Sequence, residues 1–167
     1  YKDDISDKTL LIHYEEGFGD SIMYGRFLPL IKQYAKEVVL VLQDKLINLF
    51  KNSSITSDGI KIFDNIQEAL QYVGNKPYLH MPLMDLPYPL GVDSCFIPYD
   101  KKYLNNSKIV ELGTKSYKIG IAYSGDISAN YGGRDIELKE FYSLAKINGV
   151  QLYSFQVGKA AKALNDV

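Results

Sequence analysis

The segment Glu37-Val-Val-Leu-Val-Leu-Gln43 constrains the fold of this chain more than any other. Val38 to Leu42 form an uninterrupted apolar run, rich in β-branched side chains. Such a run reads as a strand buried on both faces, which calls for a parallel sheet covered by helices on both sides. It is far shorter than the roughly 18 residues a membrane-crossing helix needs.

The rest of the chain fits that frame. Thr9 to Tyr14 predicts a first strand, and Met23, Phe27, Leu30, Ile31 and Tyr34 recur at helical spacing after it. Pro29 lies inside this helix and presses on the carbonyl of Gly25, which predicts a kink rather than a break. A short helix over Lys45–Lys51, a strand over Ile60–Phe63, a helix over Ile66–Val73 and a strand over Tyr78–Met81 follow. Pro82, Pro87, Pro89 and Gly91 then interrupt regular structure, and Pro98 to Ser107 reads as a linker. Beyond it the pattern restarts with a strand over Lys118–Tyr123, a polar loop over Ser124–Asp135, a helix over Leu138–Ile147 and a strand over Val150–Gln156. One β-α-β unit cannot bury both faces of its strands alone, so the sequence reads as ending inside a second domain. Tyr1 in place of a methionine suggests material removed upstream as well.

Composition narrows the function. Nineteen Lys and Arg against 20 Asp and Glu give a net charge of −1, without the basic footprint of a nucleic-acid or acidic-membrane binder. The single cysteine, Cys95, excludes an internal disulfide and suits a cytoplasmic setting. His13 and His80 stand too far apart in sequence for a zinc-type ligand spacing, and both fall in strands, where a core or rim histidine is expected. The scattered tyrosines read as semi-buried rings with wet hydroxyls.

Two loops at strand ends can carry chemistry. Glu15-Glu-Gly-Phe-Gly-Asp20 joins a strand to a helix; its glycines permit a sharp turn, and the helix start offers N–H groups to an anion. The third glycine of a dinucleotide fingerprint is missing, since Met23 and Tyr24 stand there. Asp20 has two readings, a helix cap stabilised by the helix dipole or a general base. The loop Ser124 to Asp135 leaves a strand at its carboxyl end, where small residues and free N–H groups can cradle a diphosphate and Arg134 can pair with it. A solvated turn with a surface arginine is the other reading. Met81-Pro-Leu-Met-Asp-Leu-Pro87 either lines an acceptor cleft or packs under the sheet.

Several of these motifs, in this order, resemble one family. Thr9 to Asp20, Tyr24-Gly-Arg-Phe-Leu-Pro-Leu-Ile31, Met81 to Pro87, Lys118 to Gly125, Arg134-Asp-Ile-Glu-Leu138 and Tyr153-Ser-Phe-Gln-Val-Gly158 are similar to the glycosyltransferase-like domains attached to bacterial tetratricopeptide repeats, relatives of the ADP-heptose–lipopolysaccharide heptosyltransferases. The resemblance implies an α/β, Rossmann-like parallel sheet flanked by helices, the N-terminal half of a GT-B glycosyltransferase plus a truncated start of the second half. Residues 1–105 would form the acceptor-side domain with its linker, and 106–167 the incomplete donor-side domain.

It also implies roles. Asp20 matches the catalytic base, Glu15, Gly17, Gly19 and Met84 fall on the acceptor side, and Ser124, Gly125, Asn130 and Arg134 on the donor side. Glu16 stands where relatives commonly carry glutamine, and Tyr123 where they carry tryptophan. The implied function is inverting, metal-independent transfer of a sugar from a nucleotide-sugar to a hydroxyl of a glycan, lipid-linked or protein acceptor. No other cofactor, no nucleic acid and no transmembrane segment is implied; the fragment itself is expected to be inactive and able to self-associate through its truncated half. A non-catalytic carbohydrate- or protein-binding module of the same fold is the rival expectation. A nucleotide-binding protein unrelated to sugars lacks its phosphate-loop fingerprint.

Overall fold

The computed structural model describes residues 4–15, 17–56, 59–93, 103–105, 110–114, 117–125 and 135–166. The chain divides into two compact units, Tyr1–Ile109 and Val110–Val167.

The first unit is α/β. Its four strands, β1 (Thr9–His13), β2 (Glu37–Val41), β3 (Ile60–Phe63) and β4 (Tyr78–Pro82), pair in parallel in the order β3-β2-β1-β4. Side chains alternate between the faces of the sheet. Leu10, Ile12, Val38, Leu40 and Ile60 point to one face, where α1 (Phe18–Gly25), α2 (Leu28–Ile31) and α3 (Asp44–Lys51) cover them with Leu28, Ile31, Leu46 and Phe50. Leu11, Val39 and Val41 point to the other face, under Ala69 and Val73 of α4 (Ile66–Val73). Val38, Val39 and Leu40 are wholly buried, as their unbroken apolar run requires.

The strand order is that of a doubly wound, Rossmann-like sheet. The chain steps outward from β1 through β2 to β3, then crosses back over the opposite face to place β4 beside β1. The carboxyl ends of β1 and β4 therefore flank the switch point, the usual ligand crevice of open α/β sheets.

Pro29 breaks the helix rather than kinking it. α1 ends at Gly25, and α2 begins afresh with Pro29 in its first turn, where the missing N–H costs nothing. Gly25 is instead needed for packing: a Cβ there would lie 2.8 Å from the buried Phe50 ring. Ser21 is buried and donates to Gln43 Oε1 at 2.8 Å, tying α1 to the end of β2. Below the sheet, Glu37 accepts from Tyr72, Thr9 and Lys76. The Tyr72 hydroxyl, ahead of the Lys76 ammonium and Thr9, holds the Glu37 carboxyl below its ordinary value. Of the stretch read as a linker, residues 103–105 pack on this unit: the Tyr103 hydroxyl donates to Ile22 O, and the Asn105 N–H donates to Ser53 Oγ.

The second unit holds two parallel strands, β5 (Tyr117–Ile121) and β6 (Val150–Ser154). The helix read over Leu138–Ile147 is a 3-10 turn, Leu138–Phe141, running into the short α5 (Tyr142–Ala145). Neither piece buries a residue, so no apolar face reinforces a longer α-helix. A 3-10 segment, Lys159–Asp166, follows β6.

Candidate functional site

The switch point of the first unit is a crevice of about 570 Å3, lined by His13, Glu15, His80, Asp85, Tyr88 and the apolar Met81, Pro82 and Pro89. Strand register explains its core. His80 lies opposite Leu11, so it projects from the same face as His13 on the neighbouring strand, and the two rings stand 6.1 Å apart. His13 Nδ1 is 3.4 Å from the Tyr14 carbonyl oxygen. Both histidines are rim residues, half-buried at His13 and exposed at His80.

The far wall is a stitched loop. After β4, a 3-10 turn over Leu83–Asp85 sinks Leu83 and Leu86 into the core at 1% and 0% exposure. The Tyr88 N–H donates to Asp85 O, the Gly91 N–H to Tyr88 O and the Val92 N–H to Pro87 O. Two buried leucines and this ladder hold Asp85 and Tyr88 outward on a fixed platform. Within this stretch Leu83 and Leu86 pack into the core, while Met81, Pro82 and Asp85 line the crevice. Met84 is half-buried in the same turn, which packs against α1.

A second groove, of about 650 Å3, opens on the α4 face and shares both histidines. Leu11, Tyr14, Val41, Asp64, Asn65, Ile66, Gln67, Leu70 and Tyr78 complete it. Because α4 covers only part of this face, Tyr78 and Leu70 remain 42% and 38% exposed.

Asp20 sits in the first turn of α1, half-buried, and its Oδ2 accepts the Gly17 N–H at 3.1 Å. This is the reach-back half of a capping box. Asp20 does not line the switch-point crevice; Glu15 does. The glycines of this turn are not there for unusual backbone angles. Gly17 has φ −73° and ψ 173°, open to any residue, and Gly19 is helical. Lys45 Nζ lies over the neighbouring Phe18 ring, 5.8 Å from its centre.

In the second unit the loop after β5 is already hydrogen-bonded to its own chain. Gln156 Oε1 accepts the N–H groups of both Tyr123 and Ser124 at 2.9 Å, and its Nε2 donates to Ser124 O at 3.0 Å. Asp135 Oδ1 accepts the Gly125 N–H at 3.1 Å. The N–H groups expected to be free for a diphosphate at Ser124 and Gly125 are therefore occupied. Tyr123 is 5% exposed and its hydroxyl donates to Ala160 O, so this ring is a core member with a satisfied hydroxyl. Asn130 and Arg134 lie outside the described residues.

Sequence reasoning missed Gln156 and Asp135 as loop anchors, and it missed the meeting of the two histidines. Gln156 carried no usable signal, because the strand read through it in fact ends at Ser154. The histidines carried none without a strand register. Among the described residues, no group of three or more His, Cys, Asp or Glu side chains is arranged to hold a metal ion, and no helix is long and apolar enough to cross a membrane. No protein-family model, curated protein or solved structure matches the chain.

Proposed function

We propose that these residues belong to an inverting, metal-independent glycosyltransferase of the GT-B kind, similar to the heptosyltransferase-like domains of tetratricopeptide-repeat proteins, working in the cytoplasm. The observation that carries the reading is the strand-order reversal at β1 and β4, which puts a polar crevice at the carboxyl ends of two parallel strands. The order of the six motifs supports the sugar chemistry. Asp20 takes the proton from an acceptor hydroxyl as its oxygen attacks the anomeric carbon. The bond from that carbon to the diphosphate breaks, and its electron pair leaves with the nucleoside diphosphate. The loop after β5, with Ser124, Gly125, Asn130 and Arg134, stabilises that leaving charge electrostatically.

A second reading has its own support. Asp20 is engaged by the Gly17 N–H, and the N–H groups of Ser124 and Gly125 are engaged by Gln156 and Asp135. A binding module that kept the fold without the chemistry would tolerate both arrangements. Asp20→Asn separates the two, because an amide oxygen still accepts the Gly17 N–H while the base is gone. In the protein that carries both Rossmann-like halves, release of nucleoside diphosphate from sugar nucleotides falls at least 100-fold in this variant under the transferase reading. An unchanged rate removes Asp20 from the mechanism. No release from the parent protein with any sugar nucleotide supports the binding module.

A further inference from the structure

The crevice and the groove that meet at His13 and His80 carry a chemical bias of their own. Glu15 and Asp85 line one and Asp64 the other, and no Lys or Arg lines either among the described residues. Such a wall repels phosphate, sulfate and carboxylate groups. Carboxylates and imidazoles are suited to sugar hydroxyls: the former accept two hydrogen bonds each, the latter donate and accept. Tyr88, 84% exposed yet fixed on a loop whose leucines are buried, offers an open ring face at the mouth. Tyr14 and Tyr78 repeat that offer in the groove, beside the Asn65 and Gln67 amides. His13, His80 and Tyr78 stand on strands of the sheet and Asp85 and Tyr88 on a stitched loop, so little backbone ordering opposes binding.

We propose that the His13–His80 ridge is a binding site for a neutral glycan chain, with one sugar in the crevice and the next in the groove. In the transferase proposed above this is where the acceptor chain is held, its reacting hydroxyl lying beyond the crevice at Asp20, and in that role it rests on that reading. Anionic acceptors such as phosphorylated or uronate-bearing sugars are excluded by the same carboxylates that bind neutral ones.

The test is a glycan array carrying neutral oligosaccharides beside phosphorylated, sulfated and uronate-containing ones, probed with the labelled 167-residue chain. Retention on neutral glycans alone is expected, weakened roughly 10- to 100-fold by Asp85→Asn, which removes a charged hydrogen-bond acceptor. Tyr88→Ala is expected to weaken it about tenfold. Both residues are exposed, and unchanged circular dichroism certifies the fold of each variant. Preference for acidic glycans, absence of all glycan binding, or binding indifferent to both substitutions overturns the proposal. Sugar-nucleotide turnover by the parent protein is measured separately. Neutral-glycan binding without turnover sinks the transferase and leaves this site standing, whereas turnover onto an acidic acceptor sinks the site alone.

Discussion

The two units are built from the same β-α-β pattern, yet different forces hold them. In the first, two inner strands are flanked by others, and Val38 to Leu42 are all at or below 3% exposure. In the second, β5 and β6 pair only with each other among the described residues. Ile121, Tyr123 and Val150 are its buried apolar side chains among the described residues, while Phe155 and Val157 stay 68% and 79% exposed. Side-chain to backbone hydrogen bonds from Gln156, Asp135, Tyr123 and Tyr153 knit it instead. A two-stranded sheet has too few neighbours to bury both faces, so polar contacts carry a larger share of its order.

Substitutions can break that comparison, beginning with the core. Leu40→Ala removes a wholly buried side chain packed under α2 and α3 and should cost about 2–5 kcal/mol in urea unfolding. Ile121→Ala, in a strand that is mostly exposed, should cost less than about half as much. Equal losses would erase the distinction between the units.

Gly25→Ala and Gly120→Ala sharpen it next. Both added methyls collide with a phenyl ring, that of Phe50 at 2.8 Å and that of Phe155 closer still. Phe50 is locked in the core, so Gly25→Ala should destabilise by about 1–3 kcal/mol. The Phe155 ring is exposed and can swing away, so Gly120→Ala should change stability by less than about 1 kcal/mol despite the shorter approach. Thermal unfolding of the pair decides whether contact distance or freedom to yield sets the cost.

Gln156→Ala probes the polar side of the contrast. Losing its paired acceptor should cost about 1–2 kcal/mol locally. Hydrogen exchange at the Tyr123 and Ser124 amides should quicken by roughly tenfold or more, with no change at Val39 or Leu40. Uniform acceleration across both units would show that they open together.

The smallest effect lies beneath the first sheet. Glu37 ordinarily titrates at 4.5, and its folded value is lower because Tyr72, then Lys76 and Thr9, favour the carboxylate. That stabilisation is present above the ordinary value and is lost as pH falls through the folded one. Glu37→Gln should therefore be slightly less stable than the parent at pH 7, by under about 1 kcal/mol, with the gap closing below about pH 4.5. A gap that widens in acid would reverse the assigned sign.

How far the fold could be read from residues depended on whether the signal was local. α4 runs over Ile66–Val73 as expected, because Asn65 accepts the Gln67 N–H at its start and Gly74 takes a positive φ of 60° at its end. β3 was legible for a similar reason, a short apolar run between turn residues. The break at Pro29 was misjudged because a proline reads alike inside a kinked helix and at the start of a new one. At the loop after β5, free N–H groups were inferred from small residues, while their partners stand ten and 32 positions away.

By itself the amino-acid sequence determined the sheet. The unbroken apolar run Val38 to Leu42 is too short for a buried helix and rich in β-branched residues, which favours a strand covered on both faces, and helical spacing between the runs supplied the cover. Tertiary structure alone decided what stands at the end of that sheet. The crossover that seats β4 beside β1 brings His80 to His13 from 67 residues away and sets Asp85 and Tyr88 opposite Glu15. Periodicity reports which face a side chain takes, but not which strand lies next to it. That depends on where α4 finds apolar surface to bury, a property of the assembled sheet.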